Sequence, residues 1–428
     1  MSLPPGPRMP RALQALGWTN RALPWLERCR ERHGDAFTLR IRHWGDWVIL
    51  ADPDDVKAVF TAGEEVGVAL ANPLLGPLLG PRSMMLSEEP DHMRRRRVVL
   101  PAFHGEAIAN DAATIAAVAR REVAAWPAGE PFALWPRMQS VTLEVVMRVV
   151  FGERADEPRL DPLRRHLTAL TGWLNRPRNL AALTLLGPEW VRHSRAYHRA
   201  MRPVEDEALA EVRRRRAEPI PARPDVVSML IAARREDGSP LGEEELRDEL
   251  VTLLSDGPTS TSLAWAFERL LRNPETLARA RAAIAADDGD DAYLDAVVKE
   301  TLRLRPPVPV VVRRLLARMR LAGRDLPAGT VVAPCIHLLH RDPRHYPEPL
   351  RFRPERFLEK PPGTYTWIPF GGGTRRCIAA PYAQLEMKRV LREVLAAVEL
   401  QPVDARGERV SKAAISFSPG EKGLVMVG

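Results

Sequence analysis

The chain has 428 residues, a net charge of +8 with arginine far outnumbering lysine, and an apolar fraction of 45%. That length is ample for a large buried core. Three widely spaced cysteines, Cys29, Cys335 and Cys377, argue against a disulfide framework and suit a reducing compartment. Pro4, Pro5, Pro7 and Pro10 interrupt any signal-peptide pattern, and no run of about 18 apolar residues is present to span a membrane. The expectation is a soluble cytoplasmic protein. Length alone suggests two or three domains, but no linker-like break appears, so 1–428 reads as a single domain.

Residues 20–35 have the period of an amphipathic helix. Residues 37–41 alternate, 47–50 run apolar, and Gly45-Asp46 between them signals a hairpin. A helix begins at Pro53. Residues 63–90 lack a period and form a long loop, of the kind that is often functional. His92 opens a helix that runs to Phe103 through Arg94, Arg95, Arg96 and Arg97. His92 and Arg96, four apart, share one face; Arg94, Arg95 and Arg97 then point outward. Residues 107–126, 138–151, 159–175 and 190–217 are helical by period. Residues 180–186 are either a core helix or a lid.

Residues 242–272 are the longest helical candidate. Ser255-Asp256-Gly257-Pro258-Thr259-Ser260-Thr261-Ser262 interrupts its apolar face. Pro258 removes one backbone bond, so either a kink forms or one helix stops and another begins, capped by Thr259 or Ser260. Glu300 and Arg303 are three apart on the next helix. Pro309 makes residues 308–312 an edge strand at most. Residues 326–330 read as a hairpin turn, and 402–428 as terminal hairpins.

The most informative stretch is Phe370-Gly371-Gly372-Gly373-Thr374-Arg375-Arg376-Cys377. A helix follows it, with Pro381 early and Tyr382, Leu385, Met387 and Val390 at helical spacing. Cys377 therefore lies at a loop-to-helix junction, where free N–H groups and the helix dipole favour a thiolate. No Gly-Lys-Ser/Thr follows the glycines, as a phosphate loop requires. No histidine lies nearby for a cysteine hydrolase, and zinc needs more ligands. Iron in a porphyrin needs one strong protein ligand, and thiolate serves.

Phe370, Gly373, Arg375 and Cys377 match the heme-binding signature of the cytochrome P-450 family, which the chain resembles in its soluble bacterial form; Ala379 stands where the family usually has glycine. Glu300-Thr301-Leu302-Arg303 resembles the family's Glu-x-x-Arg, with Arg356 as the third member of its structural triad. The resemblance implies a mainly α fold with a small β portion, and heme b between the long central helix and the Cys377 loop. It implies Cys377 as the iron ligand and His92, Arg96, Arg313 and Arg375 as partners of the propionates. Residues 63–90 would cap the substrate pocket, and 414–417 would reach into it.

The family's central helix usually carries an acid and an alcohol that guide protons. This chain departs from that pattern: Asp256, Thr259 and Ser260 are the nearest candidates, and Gly257-Pro258 falls where one alignment expects the pair. The resemblance implies a monooxygenase that inserts one oxygen atom of O2 into a small apolar organic substrate. No flavin or iron–sulfur motif accompanies it, so a ferredoxin or flavodoxin would supply electrons, docked on Arg94, Arg95, Arg376, Lys388 and Arg389. The altered central segment keeps open a peroxide-using or non-oxygenating heme-thiolate enzyme, and a non-catalytic heme sensor or carrier. No nucleic-acid motif uses the positive charge.

Overall fold

The N-terminal proline segment docks on the first strand. The Thr38 N–H donates to Pro5 O at 3.0 Å and its hydroxyl to Pro4 O at 2.6 Å. Gly6 permits the approach, since a Cβ there would fall 2.0 Å from Thr38 O. The structure is a computed structural model that describes residues 3–68, 75–219, 225–235, 237–255, 258–286, 291–413 and 416–428. The chain divides into two compact units: 1–102, 146–255 and 311–334 form the first, and 103–145, 256–310 and 335–428 the second. Both are mostly helical with short strands, the mainly α class read from sequence.

In the first unit the Arg11–His33 helix buries Ala15, Trp18, Leu23 and Leu26. It starts nine residues before the predicted 20–35, because the helix kinks at Arg21 and only the part beyond it keeps a steady period. Ala36–Ile41 and Gly45–Leu50 form the expected hairpin. Gly45–Leu50 then lies parallel to Val331–Pro334, and Arg313–Leu315 and Val66–Gly67 complete a five-stranded sheet.

Two strand readings are corrected here. Residues 308–312 are not a strand: regular pairing begins at Arg313, with one bond before it from the Val311 N–H to Pro334 O at 3.0 Å, and Pro309 lacks the N–H a ladder needs. The 326–330 turn is not a hairpin. Arg324–Leu326 pairs with Met319–Leu321, whereas Val331–Pro334 joins the larger sheet. Turn residues mark a reversal without saying which strands pair.

A third correction concerns the arginine run. Arg97 is exposed on the Asp91–Val99 helix, but Arg95, expected outside, is buried. It pairs with Asp91 at 2.6 Å, Glu245 at 3.0 Å and Glu249 at 3.2 Å. Partners 150 residues away leave no local trace. The same acidic face of the Glu243–Leu254 helix ties down the loop before it. Asp248 accepts from the Arg82 N–H at 3.0 Å, Glu249 from the Met84 N–H at 2.9 Å, and Thr252 donates to the Ser83 hydroxyl at 2.8 Å. Gly80 (φ +86°) lets the loop turn there, where a Cβ would meet the Asp248 carboxylate at 2.2 Å. Burial pushes the Glu249 carboxyl up to about 7, against the opposing pull of Arg95.

The predicted helix 190–217 is two helices, Pro188–Arg192 and Arg195–Arg216, because Ser194 caps the second by accepting from the Tyr197 N–H. Residues 180–186 end the Pro177–Leu185 helix, with Leu185 and Leu186 exposed, so they are not a core helix.

In the second unit the Ala380–Ala397 helix packs on Glu106–Val123, and Pro258–Leu271 packs on Ala292–Leu304. The 242–272 candidate is two helices, Glu243–Leu254 and Pro258–Leu271, with Ser255 already out of helical conformation at ψ 79°. Pro258 serves as a first helical residue, where its missing N–H costs nothing. Trp265 is fully buried; its indole N–H donates to Phe417 O at 2.8 Å, and the Arg305 guanidinium lies 5.0 Å from its ring. Phe417 belongs to a hairpin of Val410–Ala413 and Ser416–Pro419. The remaining C-terminal strands, Leu400–Pro402 and Leu424–Val427, join Phe132–Ala133 in a sheet instead of forming a second hairpin.

Candidate functional site

The Cys377 loop is held from below by a buried arginine. Glu300 and Arg303 are both 0% exposed on the Ala292–Leu304 helix. All five N–H groups of Arg303 are used: two on Glu300 at 2.7 and 2.8 Å, and one each on His340 O and Pro349 O at 2.8 Å and Arg351 O at 3.2 Å. Arg356 adds a bond to Glu300 at 3.2 Å, so two guanidinium groups share one carboxylate. A buried ion pair of this kind is kept in place by its hydrogen bonds more than by charge alone.

His340 carries this order to the loop. Its Nε2 accepts from the Ile368 N–H at 2.8 Å, so the proton sits on Nδ1, which faces Arg303 O at 3.2 Å. That carbonyl ends a helix, and its usual partner would be the N–H of Pro307, which does not exist. Burial, with Arg303 nearby, pushes the His340 imidazole down to about 3, so the ring is neutral.

From Ile368 the chain turns through Gly371 (φ +70°) and Gly373 (φ +68°), conformations that favour glycine. The Cys377 N–H donates to Phe370 O at 2.9 Å, closing the loop, and the helix starts at Ala380 with Pro381 in its first turn. The Phe370 ring stands edge-on to Trp367 at 6.2 Å, whose indole N–H donates to Lys299 O at 3.2 Å. Cys29 and Cys335 are buried, and Cys377 is exposed. Arg375 is half-buried and Arg376 exposed.

Also in the second unit, Thr259 is half-buried in the first turn of Pro258–Leu271, whereas Ser260 is fully buried. Asp256 lies outside the described residues. The other candidates lie in the first unit. His92 is 5% exposed with Nδ1 2.8 Å from Glu89, and Arg96, one turn on, is half-buried. Arg313 is 8% exposed on its strand, placed by pairing with Val332, and its guanidinium lies 6.0 Å from the Phe60 ring.

Sequence reasoning missed His340 and Trp367. The only trace of His340 is that it is the second histidine of Ile336-His337-Leu338-Leu339-His340, three residues after the first. Nothing near Trp367 marks it.

The family model for cytochrome P450 matches residues 3–423. Cytochrome P450 135B1 of Mycobacterium tuberculosis is 43% identical over 423 residues, covering 96% of this chain and 88% of that protein. Cytochrome P450 137 of the same species is 37% identical over 438 residues, covering 97% and 89%. Among solved structures, retinoic acid-bound cyanobacterial CYP120A1 superposes with a TM-score of 0.84 at 22% identity, each chain fully covered. The heme domain of cytochrome P450DA gives 0.84 at 23%, covering 100% of this chain and 97% of that one. The chain belongs to the cytochrome P450 family and is a monooxygenase whose cofactor is heme. The donor set fits that cofactor: of the three cysteines, the exposed residue is the one at the end of the glycine loop. No helix among the described residues is long and apolar enough to cross a membrane.

Proposed function

We propose that this chain inserts one oxygen atom of O2 into a small apolar organic substrate, using electrons from a separate ferredoxin or flavodoxin. The carrying observation is Cys377: the residue is exposed at the end of the glycine loop, and that loop is tied back through Ile368 and His340 to Arg303. Cys377 would bind the iron, and Phe370 and Gly373 would shape the seat. His92, Arg96, Arg313 and Arg375 would bind the propionates through charge-assisted hydrogen bonds. Bound heme with a thiolate ligand supplies O–O bond cleavage. Thr259 would carry a proton toward the reacting oxygen; it keeps an accessible side chain while Ser260 does not. Asp256 is the local acid of the same proposal. The proposal takes the chain as one catalytic domain working in the cytoplasm; the continuous family match over residues 3–423 supports the single domain.

For the electron donor, Arg95 drops out of the basic docking face because it is buried. Arg376 is exposed beside the loop. Lys388 and Arg389, 3.7 Å from Asp295 and 3.9 Å from Asp291, are partly neutralised. An acidic donor would dock there, and its reduction rate should fall steeply with salt. A flat response would refute docking by charge.

A second reading is favoured by Pro258, which opens a helix where the family's proton-guiding pair is expected. It is a peroxide-using or non-oxygenating enzyme. Turnover with NADPH, a reductase and ferredoxin supports the first reading; turnover with peroxide alone, and none with NADPH and the redox partners, selects the second. In both, Cys377→Ala should lose heme and the thiolate-type carbonyl spectrum.

A further inference from the structure

His92 and Arg96 stand four apart on the Asp91–Val99 helix, so one face carries both. The helix has nine residues, too few to hold its shape or its setting without tertiary partners. Its start is fixed by Glu89, which accepts from the Met93 N–H at 3.1 Å and meets His92 Nδ1 at 2.8 Å. Its rotation is fixed by Arg95, which is 8% exposed.

One terminal nitrogen of Arg95 bonds Glu245 at 3.0 Å and Asp91, a turn back on its own helix, at 2.6 Å. The other bonds Glu249 at 3.2 Å and the Arg82 carbonyl oxygen at 2.5 Å. Four oxygens from three segments of the first unit therefore converge on one guanidinium. The acceptors are held in turn. Glu245 takes the Gly242 N–H at 2.7 Å and pairs with Arg235, and Glu249 takes the Met84 N–H at 2.9 Å. Glu245 and Glu249 lie one turn apart, so contacts to both set the height of the Arg95 helix as well as its rotation. Around the helix axis Arg95 stands about 60° from His92 and about 100° from Arg96, on an adjoining face. A turn of the helix that freed Arg95 would swing both by the same angle. A lysine, with three donors at one point, matches this forked set poorly.

We infer that Arg95 is a positioning residue for the cofactor: by tying its helix to the Glu243–Leu254 helix and the 82–84 loop, it fixes the angle at which His92 and Arg96 face the heme propionates. The inference rests on the propionate roles proposed for those two residues. Arg95 acts through them, since both of its terminal nitrogens are spent on protein oxygens.

The test follows release to excess apomyoglobin from the full-length protein loaded with heme or with heme dimethyl ester, whose propionates are blocked. Wild type should release the ester faster than heme. Arg95→Lys should release heme about tenfold faster than wild type does, the change expected when one charge-assisted hydrogen bond is weakened. It should release the ester at the wild-type rate. An Arg95 that only stabilised the fold would speed both releases by the same factor. Glu245→Gln leaves the guanidinium in place and loosens its hold, so it should repeat the pattern, and it carries the test where Arg95→Lys fails to fold. Variants whose ratio of heme release to ester release matches that of the wild type overturn the inference alone. A wild type that releases heme and ester alike refutes the propionate roles, and the inference with them.

Discussion

Replacing His340 by leucine should loosen the cysteine loop. The side chain joins two buried backbone groups, the Ile368 N–H and the Arg303 carbonyl. Leucine serves neither, and each unsatisfied buried group costs about 1–3 kcal/mol, so the loss should be about 2–6 kcal/mol. Glutamine places a carbonyl where Nε2 stood and should keep the Ile368 bond, halving the loss. The pH dependence has a definite sign. The folded-state value of about 3 lies below the ordinary 6.5, so the folded protein binds fewer protons between them. The wild type should lose this stability as pH falls below 6.5, and its advantage over His340→Leu should shrink by about 1.4 kcal/mol per pH unit. Arg303 and His337 act on the ring in the same direction. Urea unfolding of the heme-loaded proteins measures the loss, and the fraction of thiolate-type carbonyl complex reports the loop itself. A leucine variant matching the wild type in both, or a glutamine variant no better than leucine, would refute the reasoning.

Thr259→Ala should lower product formed per electron consumed, while Ser260→Ala, on a fully buried side chain, should act mainly on stability; product and NADPH consumption measured together separate the two. Glu249→Gln should flatten a pH effect of the opposite sign to that of His340. A carboxyl raised from 4.5 to about 7 contributes stability at low pH that is lost as pH rises between those values. Relative to this variant, the wild type should weaken over that window and level off above it. Unfolding midpoints across the range test this, and a constant difference would count against a buried carboxyl that titrates.

The helices were legible wherever an apolar face kept its period, as in Asp161–Leu174 and Ala292–Leu304. The cysteine loop was legible because glycines, an arginine and a cysteine at fixed spacing carry a local meaning. What escaped depends on distant partners. Arg95 looked like one more solvated charge until Glu245 and Glu249 arrived from another helix. The pairing of 331–334 depends on a strand almost 300 residues earlier. His340 left only a faint trace because both of its partners are backbone groups, which no residue type announces.

The five-fold satisfaction of Arg303 bears on how this protein reaches its native state. Its acceptors at 340, 349 and 351 lie 37 to 48 residues downstream. A guanidinium stripped of water before they arrive would be a buried charge without its oxygens, which is strongly unfavourable. Burying that guanidinium is therefore expected to be coupled to closure of the stretch from 300 to 356. A variant that leaves this stretch open should hold its cysteine loop less firmly and retain its cofactor poorly.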